Sequence, residues 1–258
     1  MINSNGIIDS DIITRKMKSS NITSLSKASI RQLVTLINEI EQESGQKYIR
    51  MEMGVPGLPA PQIGIEAEID ALHRGVASKY PMIEGIPELK KEISRFCSMF
   101  LDISVDKTNC FPTVGSAQGA LATFLVANRI RSQGGTLFID PGFPNQKRQL
   151  DMIGQPWGSF DVYKHRGSKL KAALEKHLGT GKYTTLLYSN PNNPAWICFN
   201  DEELASIAEI ADKYDVIVIE DLAYFGMDYR ADYSIPGHPP YQPTIAKHTD
   251  NYVLLISS

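Results

Sequence analysis

Two short strings could carry chemistry in this chain: Asn190-Pro191-Asn192-Asn193-Pro194 and Glu220-Asp221-Leu222-Ala223-Tyr224. Each follows an apolar run, Thr184–Ser189 (TTLLYS) and Val216–Glu220 (VIVIE), that reads as a buried strand. Between the strands, Asp201–Tyr214 has the spacing of an amphipathic helix. Strands joined in this way are parallel, and their carboxyl ends open onto a ligand crevice. An amide, a carboxylate and a phenol therefore reach one crevice from adjacent strand–helix units. A carboxylate at the end of a buried strand is costly unless paired, and a protonated ring nitrogen would pair it. The amide and the phenol suit an oxyanion on the same ring. Asp221, Asn193 and Tyr224 can thus hold the ring of pyridoxal 5′-phosphate (PLP). Two alternatives stand beside this for the carboxylate. Asp221 could cap the segment after it, and Glu220, pointing to the other face, is the competing acid.

Three further strings are less specific. Gly115-Ser116-Ala117-Gln118-Gly119-Ala120 lies where a strand gives way to a helix. Free N–H groups at a helix N-terminus bind phosphate, and small residues let the anion approach. The alternative is a plain tight turn, and the string matches neither the P-loop nor the dinucleotide fingerprint. Asp140-Pro141-Gly142-Phe143-Pro144 ends the next strand, where Phe143 could stack on a flat ring or be a core aromatic beside a Pro-Gly turn. Tyr80-Pro81 and Gly85-Ile86-Pro87-Glu88-Leu89 read as a helix–loop–helix with proline at the first helical position. In Asn190–Pro194 the two prolines fix φ and hold the amides rigidly; the alternative is a proline-rich turn.

The elements that would position these residues alternate from about residue 108: strands at Cys110–Val114, Thr136–Asp140, 156–162, Thr184–Ser189, Val216–Glu220 and Tyr252–Ile256, with helices at Ser116–Arg131, 145–153, Ser168–Leu178 and Asp201–Tyr214. That order implies an α/β fold with a mostly parallel sheet flanked by helices. Upstream, residues 1–26 read as a polar arm, Ser26 as the cap of a helix over 27–44 closed by Gly45, and 48–53 as a short strand before a Gly- and Pro-rich loop. Helices follow near 65–79 and 87–101, the second with Leu89, Ile93, Phe96, Cys97 and Phe100 on one face. Residues 228–250 read as a long surface connection that could lie over the site.

The 258 residues can bury a full core, and the net charge of −3 gives no reason to expect nucleic acid or an anionic membrane as partner. No apolar run is long enough to span a bilayer, and the N-terminus does not resemble a secretory signal. Three cysteines at wide spacing fit reduced thiols in a cytoplasmic protein, and the five histidines form no metal-ligand pattern.

Read in order, YP-x₃-G-x-PEL, GSAQGA, DPGFP, NPNNP and D-x-A-Y resemble the class I/II aminotransferase family of fold-type-I PLP-dependent enzymes, from about Gly54 to Ser258. The resemblance implies the family's large domain over 51–258, with 1–50 an N-terminal arm and helix belonging to a smaller domain. It implies that Ser116, Ala117 and Gln118 form the phosphate cup, Phe143 stacks on the pyridine ring, and Asn193 and Tyr224 meet the phenolic oxygen. Asp221 would meet the ring nitrogen, Tyr80 would reach the phosphate of a neighbouring subunit in a homodimer, and Gly54 would lie in a loop that closes over substrate. The implied reaction moves an amino group between an amino acid and a 2-oxo acid. A PLP-dependent β-lyase and a non-catalytic PLP-fold ligand-binding module are the alternatives. Two departures stand out. Ala195-Trp196 occupies the place of the family's Thr-Gly, and Leu254-Leu255-Ile256-Ser257-Ser258 resembles the string just before the cofactor-binding lysine, so the lysine is expected beyond residue 258.

Overall fold

The computed structural model describes residues 10–54, 58–131 and 134–256. The chain folds as two compact units, Met1–Lys79 and Tyr80–Ser258.

In the first unit, α1 (Ser10–Ser19) lies on α2 (Ile30–Ser44). Ile12, Ile13 and Met17 of α1 meet the buried Leu36 and Ile40 of α2. The expected polar arm is therefore in part a helix, because three apolar side chains in a polar sequence suffice to make one stripe. The cap of α2 is Ser29, not Ser26. Its hydroxyl accepts from Gln32 N while the Gln32 side chain accepts from Ser29 N, a reciprocal capping box. Gly45 closes α2 at φ 70°. Residues 48–53 form no strand. The Tyr48 N–H is instead taken by the buried Glu41 carboxylate at 2.8 Å. α3 (Gln62–His73) follows, with none of its residues buried.

The second unit is built on five parallel strands, β1 (Gly135–Asp140), β2 (Trp157–Asp161), β3 (Tyr183–Ser189), β4 (Ile217–Asp221) and β5 (Tyr252–Leu255), in the order β2-β1-β3-β4-β5. Before the sheet comes α4 (Pro87–Phe96), continued by a π-helical turn over Cys97–Leu101. Cys97 and Leu101 bury against Leu222, and Phe96 and Phe100 pack around Phe225, whereas Leu89 stays exposed.

Successive strand residues face opposite ways, and the core divides accordingly. Leu137, Leu186, Tyr188 and Val218 face α7 (Ser168–Leu178) and α8 (Asp201–Lys213). Phe138, Leu187 and Ile219 face α5 (Gly115–Ala127) and α6 (Pro144–Met152) through Ala120, Phe124 and Leu150. Each such fully buried aliphatic side chain contributes roughly 1.5–3 kcal/mol.

Cys110–Val114 is not a strand. It pairs with no described strand, and Phe111 and Val114 are exposed. β-propensity measures fit to a pleated neighbour, and without one the segment stays extended but unladdered. The connection over 228–250 is also more than surface: Asp228, Gln242, Thr244 and Ile245 are buried, and Ile245 joins the larger core.

Candidate active site

The alternation that sorts the core also sorts the two acids at the end of β4. Val218 belongs to the α7/α8 face and Ile219 to the α5/α6 face. Glu220 therefore falls on the first face and Asp221 on the second, with the N-termini of α5 and α6. Asp221 is paired in register with Ser189 of β3 and Leu255 of β5, and is 5% exposed.

The partners of Asp221 are neutral. Gln146 Nε2 donates to Oδ2 at 2.8 Å, and the Ala223 N–H donates to Oδ1 at 3.1 Å. Burial pushes the carboxyl above its ordinary range, against these two hydrogen bonds. The Ala223 bond shows that the capping alternative is also realised, as a turn held by one oxygen. The second oxygen looks into the α5/α6 side of the sheet.

The three asparagines of Asn190–Pro194 divide by role. Asn190 is buried, donates to Glu220 Oε1 and Pro243 O, both at 3.2 Å, and accepts from Phe199 N at 3.1 Å. Asn192 is buried, donates to Pro141 O at 2.9 Å and Ser189 Oγ at 3.2 Å, and accepts from Ala195 N at 2.9 Å. These two build the turn. Asn193 is tied through its main chain to Ser189 Oγ at 3.2 Å, and its side-chain amide has no partner among the described residues. Tyr224 is half-buried, and its hydroxyl likewise has none; its ring meets Trp196 with centroids 5.6 Å apart at 69°.

At the start of α5, Gly115 holds φ 73°, a backbone that suits glycine. The first N–H groups of a helix have no acceptor within it, so those of Ser116 and Ala117 are open to an anion. The Gln118 side chain turns back, its Oε1 accepting from Val114 N at 2.6 Å, and so braces the turn. α6 is joined to α5 by Gln149 Nε2 donating to Ala117 O at 2.8 Å. Phe143 is the residue before α6 and is 40% exposed. Asp221, Gln146, α6, α5, Ser189 and Asn193 are thus linked by contacts, and Phe143 and Tyr224 border the same group. Tyr80 stands apart, fully exposed. Gly54 lies in the other unit, in an exposed stretch.

Glu220 is wholly buried in a separate polar cluster. Thr244 Oγ1 (2.5 Å) and Ile245 N (3.1 Å) donate to Oε2, and Asn190 (3.2 Å) and the Tyr188 hydroxyl (3.4 Å) donate to Oε1. With four donors inside the protein it has no opening to a ring nitrogen, which leaves Asp221 as the candidate acid, on the α5/α6 face.

Sequence reasoning missed Gln146 and the handedness of Trp196. The first has no local signal, since its partner Asp221 lies 75 residues further along the chain. Trp196 sits at φ 53°, a region that its residue type does not suggest.

The residues fit pyridoxal 5′-phosphate. A buried carboxylate with neutral partners matches a ring nitrogen that must stay protonated, an unpartnered amide and phenol match the ring oxygen, and a glycine-started helix matches the phosphate.

Comparison with known proteins identifies the family. The sequence model of the family "Aminotransferase class I and II" matches residues 47–258. The chain belongs to that family, whose members depend on PLP, and its parallel sheet flanked by helices is the fold-type-I large-domain fold. Nicotianamine aminotransferase 1 of Oryza sativa subsp. japonica is 26% identical over 173 residues, 66% of this chain and 34% of that protein. Asparagine–oxo-acid transaminase of Streptococcus mutans is 25% identical over 189 residues, 72% of this chain and 47% of that protein. The crystal structure of an aminotransferase from Mycobacterium tuberculosis superposes with a TM-score of 0.66 at 25% identity, covering 80% of this chain and 53% of that one. The chain spans about half the length, or less, of the curated relatives it matches. Among the described residues, no helix is long and apolar enough to cross a membrane.

Proposed function

We propose that the full-length protein is a PLP-dependent aminotransferase that moves an amino group between an amino acid and a 2-oxo acid. The observation that carries this is the buried Asp221 carboxylate, held among the described residues by neutral donors and joined through Ser189 and the Asn190–Pro194 turn to an amide with no partner among them. When bound, PLP supplies the electron sink that labilises bonds at the Cα of an amino acid. Asp221 keeps the proton on the ring nitrogen, and the resulting ion pair removes the cost of burying its charge. Asn193 and Tyr224 donate to the ring oxygen, and Phe143 covers one ring face. The N–H groups of Ser116 and Ala117, with the Ser116 hydroxyl, hold the phosphate at the positive end of α5, and Gln118 braces that turn.

The protein works in the cytoplasm, in keeping with three free thiols. It is a homodimer with shared active sites, Tyr80 of each subunit reaching the phosphate of the other. The test is to purify the full-length protein with PLP, offer a panel of amino acids against a 2-oxo acid, and follow the newly formed amino acid by chromatography. PLP-dependent formation of that product is expected; a cofactor-loaded protein that transfers no amino group from any donor overturns the proposal.

A further inference from the structure

Four described non-glycine residues occupy the left-handed backbone region: Asn21, Asp102, Trp196 and Asp215. Asn and Asp tolerate that region because their short polar side chains bond locally, whereas a bulky residue there is an outlier. Trp196 is held at φ 53° by the turn it closes. Its N–H donates to Asn192 O at 2.8 Å, and the Asn192 N–H donates to Ile197 O at 2.9 Å. Glycine would satisfy this backbone without strain. The indole is not retained for the core, since Trp196 is 40% exposed and belongs to neither cluster of the sheet. The aromatic contact it makes is with Tyr224, centroids 5.6 Å apart and planes at 69°. Tyr224 lies beyond the end of β4, and its hydroxyl has no partner among the described residues to fix its ring. Strain kept at a site where the side chain touches one functional group points to a role for that contact.

We propose that Trp196 is a positioning residue for Tyr224: its indole, placed by a strained turn at the end of β3, fixes the plane of the phenol so that the hydroxyl addresses the ring oxygen of the cofactor. Trp196 has this role only if PLP binds as set out above. Two consequences are opposite in sign. Removing the indole relieves the backbone, so the fold is not weakened, yet it frees the phenol, so the cofactor's oxygen loses an oriented donor.

The experiment uses the full-length protein and the variants Trp196→Gly, Trp196→Phe, Tyr224→Phe and Trp196→Gly/Tyr224→Phe. Melting of the cofactor-free proteins is measured by circular dichroism, and the pH midpoint of the absorbance change of the bound cofactor by titration. A donor to the ring oxygen favours its deprotonated form, so losing the donor raises the midpoint. Trp196→Gly is expected to melt no lower than wild type and to raise the midpoint by about half a pH unit, the size of one aromatic contact. Trp196→Phe should restore most of the midpoint. The double variant should show no shift beyond that of Tyr224→Phe, because both changes remove one interaction. An unchanged midpoint in Trp196→Gly, or a shift that adds in full to that of Tyr224→Phe, overturns the role of Trp196 and leaves the function standing. If wild type takes up no PLP, or Tyr224→Phe moves nothing, the cofactor-site reading fails together with it.

Discussion

Gln146 donates a hydrogen bond of 2.8 Å to the buried Asp221 carboxylate, joining the first turn of α6 to the end of β4 across 75 residues of sequence. Gln146 is itself buried, so neither partner has water as a substitute. The bond lowers the Asp221 pKa against the larger upward push of burial. An amide suits this place: it orients the acid without neutralising it, leaving the charge for a ring nitrogen.

Gln146→Leu should therefore raise the Asp221 carboxyl further and leave an acceptor oxygen unsatisfied. The cofactor-free protein should lose about 1–3 kcal/mol of stability. Urea unfolding at neutral pH measures this. A loss no greater than that of a neutral surface substitution would show that the bond contributes nothing.

Asp221→Asn should keep the fold and lower the amino-transfer half-reaction by orders of magnitude, since a neutral amide cannot hold the ring nitrogen protonated. Single-turnover absorbance with an amino acid follows that step. Turnover near wild type would remove Asp221 from its role.

The elements legible in the sequence were those whose signals are local. α7 starts and ends where its apolar spacing does, and β1, β3 and β4 lie within a residue of their apolar runs. The failures concern partners. Cys110–Val114 has strand composition but no described strand beside it, and 48–53 gives its Tyr48 N–H to a carboxylate on α2. The cap at Ser29 was readable in Ser29-x-x-Gln32, yet nearby serines offer the same hydroxyl. Among the candidate site residues, the places of Asp221 and Asn193 at the ends of two strands were legible, because the apolar runs before them are local signals. Gln146 was not, since its significance is a contact distant in sequence. The separation of Glu220 from Asp221 followed from period-two alternation, but the four donors around Glu220 come in part from a connection that looked like plain surface.

Glu220 makes stability depend on pH. Burial lifts its carboxyl from 4.5 to about 7, against hydrogen bonds from Thr244, Asn190, Ile245 N and Tyr188. The folded value lies above the unfolded one, so the stabilising contribution is complete below about 4.5 and is lost as pH rises through about 7. The full contribution is about 3 kcal/mol. Glu220→Gln cannot titrate, so the wild-type stability measured against that variant should grow as pH falls from 8 to 4 by about that amount. Parallel urea curves for the two proteins across this range would contradict it.

Tyr80 should act on the neighbouring subunit. The phenol is fully exposed among the described residues, at the start of the second unit, and so is open to a partner. A hydroxyl donating to phosphate is charge-assisted, and Tyr80→Phe should cost on the order of 1.5–3 kcal/mol of cofactor binding. A mixed dimer separates action on the neighbour from simple packing between helices. Subunits carrying Tyr80→Phe are combined with subunits carrying Asp221→Asn. If Tyr80 serves the partner, both lesions meet in one site of the heterodimer and the other site is intact, so activity returns on mixing. Heterodimers that form and stay inactive would show that Tyr80 works within its own subunit, and Tyr80→Phe homodimers that bind the cofactor as tightly as wild type would show that it has no part in holding the phosphate.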